Sequence, residues 1–207
     1  MKRMLCFGDS NTWGYIPGTG GRYNEDIRWT ARLQAALPGW RVAEEGLNCR
    51  TTVFYAPEEQ YICGLYYART CVLSQIPLDL IVIMLGTNDA KVRYAASAHD
   101  ITAGMERLCA EMLGCCSEKG SYPGLILISP VRLMPRADEP DFNADSAAKI
   151  IELETLYEEL AAKKGYIFIK GSDAVKDIGP DGIHMTPQGH RALSGFLAQK
   201  IAALPTA

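Results

Sequence analysis

The densest run of apolar side chains lies near the middle of the chain, from Leu78 to Leu85. It is rich in β-branched residues and apolar on both faces, as a parallel strand covered by helices on both sides must be. Met4–Phe7 and Leu125–Ile128 repeat that pattern in shorter form, and Arg41–Glu45 and Tyr166–Ile169 complete a set of five predicted strands. Between them the apolar positions recur at helical spacing. Trp29–Leu37 is one predicted helix, ended by Pro38-Gly39. Residues 58 to 76 carry Tyr61, Ile62, Leu65, Tyr66, Cys71, Val72 and Ile76, a mostly helical pattern with Gly64 as its weak point and Pro77 as its stop. Ser97–Cys116, Asp145–Lys164 and Pro187–Leu204 are further helices; Gly165 ends the second, and Thr186 caps the third ahead of Pro187 at its first position. Polar stretches rich in Gly, Pro, Asn and Asp form loops over 14–28, 46–57 and 129–142.

Strands alternating with helices predict an α/β fold in which a parallel sheet is joined by right-handed crossovers. In such a sheet the functional loops collect at the carboxyl ends of the strands. Ser10, the loop after Gly46, Asn88 and the 129–142 loop all follow predicted strands, and the 170–186 segment follows the last one. They therefore converge on one edge.

Composition narrows the function. The chain has 207 residues, 48% of them hydrophobic, enough for a single domain over 1–207. A net charge of −3 leaves no basic stripe for nucleic acid. Lys2-Arg3 is followed by only four apolar residues, too few for a signal-peptide core, and no apolar run reaches membrane-span length. Seven cysteines at irregular spacing read as reduced thiols in a reducing, cytoplasmic compartment. The three histidines form no zinc-ribbon or HExxH pattern, so neither a metal nor another cofactor is expected.

The candidate chemistry joins the two ends of the sequence. Asp181 and His184, three residues apart, suit a base with its orienting carboxylate. Ser10, in Gly8-Asp9-Ser10, is the nucleophile such a base would activate. Acyl transfer also needs donors for an oxyanion; the Ser10 N–H and the Asn88 side-chain amide can supply two.

Gly8-Asp9-Ser10, Gly46-Leu47-Asn48-Cys49, Gly86-Thr87-Asn88-Asp89 and Asp181-Gly182-Ile183-His184 occur in the order of the four blocks of the SGNH (GDSL-type) hydrolases. The chain resembles that family over nearly its whole length, and its arylesterase and acyltransferase branch in particular. The resemblance implies a three-layer flavodoxin-like fold with a central, mostly five-stranded parallel sheet. It implies Ser10, Asp181 and His184 as a catalytic triad acting on a small ester through an acyl-enzyme. It implies Ser10, Cys49 and Asn88 as the oxyanion hole. Cys49 is a departure, since the family usually has glycine there; a backbone N–H survives the exchange, but a positive φ would be strained.

Asp9 and Trp13 are candidate substrate contacts, and Trp29 is a candidate pocket or core aromatic. His190 and the acidic run Glu152, Glu154, Glu158 and Glu159 read as structural, the latter as a solvated helix face. The alternatives to a short-acyl esterase are a carbohydrate deacetylase and a non-catalytic module that retains the fold. Acyl transfer to alcohols and homo-oligomer formation stay open as expectations.

Overall fold

The computed structural model describes residues 1–136 and 138–204; Ala137 of the expected 129–142 loop and residues 205–207 of the expected 1–207 domain lie outside the described residues. The five strands are β1 (Lys2–Gly8), β2 (Trp40–Gly46), β3 (Leu80–Met84), β4 (Gly124–Ile128) and β5 (Ile167–Ile169). They form one parallel sheet in the order β2-β1-β3-β4-β5. Gly8 pairs with Gly46 on one side and Met84 on the other, so three strands end level. The winding direction reverses at β1, which opens a crevice beyond the carboxyl ends of β1 and β3.

Strand periodicity divides the core into two layers. Leu5, Phe7, Ile81, Ile83, Leu125 and Leu127 point to one face, where α3 (Gly64–Gln75), α4 (Ala98–Ser117) and α5 (Ala144–Lys164) cover them. Met4, Cys6, Leu80, Val82, Ile126 and Ile128 point to the other, under α2 (Trp29–Ala36) and α7 (Pro187–Ala202). Burying each large side chain contributes about 1.5–3 kcal/mol. The architecture is therefore three-layered α/β, as expected. Helix boundaries follow capping chemistry: Ser97 with Asp100 and Asn143 with Ser146 form capping boxes, and Gly165 takes the left-handed conformation after α5.

Two details depart from the expected pattern. Residues 58–76 are not one helix. A 3₁₀ segment, Pro57–Ile62, precedes α3, and between them Thr51 bridges to Cys63, with Thr51 N–H donating to the Ile62 carbonyl and Gly64 N–H to the Thr51 carbonyl. Those bonds divert the backbone at Gly64, where a Cβ would lie 2.7 Å from the Thr51 carbonyl oxygen. Glu154 is not part of a solvated face. It is 3% exposed, on the same α5 stripe as Ile150, Leu153 and Tyr157, and accepts from Arg132 at 3.1–3.2 Å with Lys170 at 3.1 Å. Two four-residue helices escaped the periodicity reading, α1 (Ser10–Trp13) and α6 (Gly171–Ala174), each too short to show a period.

Candidate active site

β1 runs straight into α1, and the turn between them decides where Ser10 sits. Asp9 caps α1, its Oδ1 accepting from Asn11 N–H at 2.9 Å. Gly8 is required at the bend, because a Cβ there would overlap the Thr12 side chain and press on the Met84 carbonyl. Gly46 lets β2 pass the backbone of Trp13, which a Cβ would also overlap. The result holds Ser10 at the edge of the sheet with 6% exposure.

His184 reaches the same point from the far end of the sequence. Its Nε2 lies 2.8 Å from Ser10 Oγ, and its Nδ1 lies 2.7 Å from Asp181 Oδ2. With the ring proton on Nδ1 facing Asp181, Nε2 is free to accept from the Ser10 hydroxyl. Asp181 Oδ1 also accepts from the N–H groups of Ile183 and His184, each at 3.0 Å. Burial alone would raise the Asp181 carboxyl, but the bonds from the His184 ring and these two amides outweigh it and hold the group below its usual range.

The loop carrying His184 is tied down twice. Asn11, 2% exposed, accepts from Met185 N–H at 2.8 Å and donates to the Ile183 carbonyl at 3.3 Å, spanning His184 on both sides. Gly182 has φ 71°, and its carbonyl accepts from Met134 N–H at 2.8 Å; a Cβ there would overlap the Met134 carbonyl. Tyr15 lies over the imidazole with ring centroids 4.2 Å apart.

Across the crevice, Asn88 follows β3 and donates its amide to the Arg50 carbonyl at 3.1 Å, which leaves a second amide hydrogen for another acceptor. Arg50 is 3% exposed, donates to the Gly8 and Glu45 carbonyls, and lies 4.2 Å from the Phe7 ring centroid. It pins the 46–50 loop to the end of β1. Cys49 takes φ 63°, a left-handed conformation costing about 1–2 kcal/mol for a non-glycine residue. It is exposed, whereas the other six cysteines are buried. Among the described residues no cluster of three His, Cys, Asp or Glu side chains is placed to hold a metal, and no helix is long and apolar enough to cross a membrane.

A cavity of about 320 Å³ brings Ser10, Asp181, His184, Cys49 and Asn88 together, with Tyr15, Asn48, Lys91, Asp141 and Phe142 among its other walls. Three aromatic and acidic candidates lie elsewhere. Asp9 is 1% exposed and turned inward as the helix cap, its carboxyl raised by burial. Trp13 stacks outside the cavity under the Arg22 guanidinium, 5.2 Å from its ring, and Trp29 is core. His190 is fully buried against Tyr23, accepts from Trp29 N–H at 3.3 Å, and is pushed down to about 4 by burial and by Arg28. Sequence reasoning missed Asn11 and Tyr15; adjacency to Ser10 was the signal for Asn11, and Tyr15 lay in a loop without periodicity.

A family model described as the GDSL-like Lipase/Acylhydrolase family matches residues 6–192. The chain belongs to this family. Its fold is similar to Est24, a carbohydrate acetylesterase from Sinorhizobium meliloti, with TM-score 0.94, 35% identity, and coverage of 99% of this chain and 100% of that one. It is also similar to the M. smegmatis aryl esterase (0.92, 34%, 99% and 100%) and to another carbohydrate acetylesterase family member from Sinorhizobium meliloti (0.89, 31%, 97% of each). No curated protein matches the chain. Family and neighbours together support an SGNH-type ester hydrolase.

Proposed function

We propose that this GDSL-like hydrolase cleaves small esters through an acyl-enzyme on Ser10. The observation that carries the reading is the pair of contacts at His184, 2.8 Å to Ser10 Oγ and 2.7 Å to Asp181. Ser10 Oγ attacks the ester carbonyl while its proton passes to His184 Nε2, and Asp181 stabilises the imidazolium. The carbonyl oxygen becomes an oxyanion held by the N–H groups of Ser10 and Cys49 and by the free amide hydrogen of Asn88. As the tetrahedral species collapses, the bond to the alcohol breaks and His184 returns the proton to the departing oxygen. Water, or a second alcohol in acyl transfer, repeats the sequence on the acyl-enzyme.

The cavity of about 320 Å³ is at the small end for ligand sites and favours acetate-sized acyl groups. Acetylesterases among the similar structures support the same acyl size. A fluorophosphonate should label the wild type at Ser10 and leave Ser10→Ala unlabelled. Labelling that persists in the variant, or absent turnover of 4-nitrophenyl acetate by the wild type, would sink the reading.

A further inference from the structure

Lys91 is a buried ammonium that the reaction above does not use. Its side chain is 7% exposed, yet it lines the cavity that holds Ser10. Nζ lies 2.8 Å from Asp141 Oδ2, 4.0 Å from Cys49 Sγ and 5.5 Å from the Phe142 ring centroid. Its backbone is fixed by the 3₁₀ turn Asn88–Ala90, with Lys91 N–H donating to the Asn88 carbonyl at 3.2 Å. Asp141 is fixed too, since its carbonyl accepts from Val92 N–H at 2.9 Å. Both backbones that carry the ion pair are thus anchored, and an ammonium has three donors to place.

Lys91 adjoins both side-wall donors proposed for the oxyanion: its Nζ contacts Cys49, and its backbone N–H is bonded to Asn88. The oxygen those donors would hold belongs to the acyl group, which on the proposed chemistry is the part of the ester within reach of Lys91. Taking the proposed chemistry of Ser10 as its basis, we infer that Lys91 and Asp141 select acyl groups that carry a hydroxyl close to the ester carbonyl. A hydroxyl matches the pair because it can accept from the ammonium and donate to the carboxylate at once. A carboxylate on the acyl group does not. Among the described residues that line the cavity, Glu139, Asp141 and Asp181 stand against one lysine, Lys91, so a further negative charge is repelled.

The matched substrates are ethyl lactate and ethyl isobutyrate, which differ by a hydroxyl in place of a methyl group on the acyl carbon next to the carbonyl. The ratio of their kcat/KM values cancels any general damage to the site. Lys91→Met should lower the lactate-to-isobutyrate ratio about 10- to 100-fold relative to wild type, the range for a hydrogen bond to a charged group. Asp141→Asn should lower it less, and Lys91→Arg should retain part of it. A ratio unchanged in a folded Lys91→Met protein overturns the inference while leaving the esterase reading intact. Should Lys91→Met fail to fold, an unchanged ratio in Asp141→Asn does the same. Faster turnover of monoethyl malonate than of ethyl isobutyrate by the wild type overturns the choice of a neutral hydroxyl. A wild type that hydrolyses no ester and resists fluorophosphonate overturns the esterase reading and this inference together.

Discussion

Halfway along β1, β3 and β4 the side chains are apolar and almost wholly buried: Leu5, Cys6, Val82, Ile83, Ile126 and Leu127. A few residues beyond β1 and β3 the chain enters a region just as buried but polar: Asp9, Asn11, Thr12, Thr87, Asn88, Asp89 and Lys91. The two regions are continuous in chain and comparable in accessibility. They differ in what burial does. In the strand interior it stabilises without direction. At the carboxyl edge each buried polar atom needs a partner, and among the described residues Thr12 Oγ1, Asn48 Oδ1, Arg50 Nε and Asp89 Oδ2 find none. The groups that face the cavity at this edge, Ser10, Asn88 and Lys91 among them, are held by directed polar contacts.

The sharpest test sets one residue of each region against the other. Ser10→Ala should lower ester kcat by several orders of magnitude while leaving the unfolding free energy close to wild type. Ile83→Ala should do the opposite, losing about 2–5 kcal/mol of stability in urea titrations while the molecules that stay folded keep their turnover. If Ser10→Ala keeps a tenth of the activity, the edge has been misread.

Asn88→Ala should come next, with kcat falling about 100- to 1,000-fold and KM changing little, because the amide bond strengthens as charge develops on the oxygen. A change confined to KM would mean that Asn88 binds the ester without stabilising its oxyanion.

Protonation offers a subtler contrast. His190 is pushed down to about 4 in the folded protein, against about 6.5 in an unfolded chain. Between those values the unfolded state binds more protons, so His190 makes stability rise with pH through that window, by roughly 3 kcal/mol. Asp89, raised to about 6 mainly by burial, acts in the opposite direction between its usual value and 6. Subtracting the stability curve of His190→Gln from that of the wild type removes the Asp89 contribution. The difference should climb from about pH 4 to 6.5 and then level; a flat difference would mean that His190 is not held neutral.

The smallest effect should be at Cys49. Cys49→Gly relieves the left-handed strain, and stability should rise by up to about 1 kcal/mol with activity largely retained, since the backbone N–H remains. Cys49→Ala should be equally active. Loss of turnover in folded Cys49→Ala would give the thiol itself a role.

The apolar strands and most helices were legible because periodicity reports which face is buried, and Ser10, Asn88, Asp181 and His184 stood out because side-chain chemistry restricts what those clusters can do. Glu154 was misassigned for want of one step: counting from Ile150, Leu153 and Tyr157 places it on the buried stripe, whatever its charge. Trp13 was too close in sequence to Ser10 to be a safe inference, because one short helical turn swings its ring out of the cavity. Lys91 and Asp141 meet only through a long-range fold, and no local pattern announces such a pair.

Asn11 ties residues 183 and 185 to the first helix across more than 170 positions of chain. In folding terms this is one of the most expensive kinds of contact, a closure that local structure cannot make early. On the proposed mechanism, a chain whose sheet has formed but whose 181–185 loop has not docked carries Ser10 with no base beside it. Local opening of the 181–185 loop in the finished protein would have the same result, switching the hydroxyl off while the sheet beneath it stays intact.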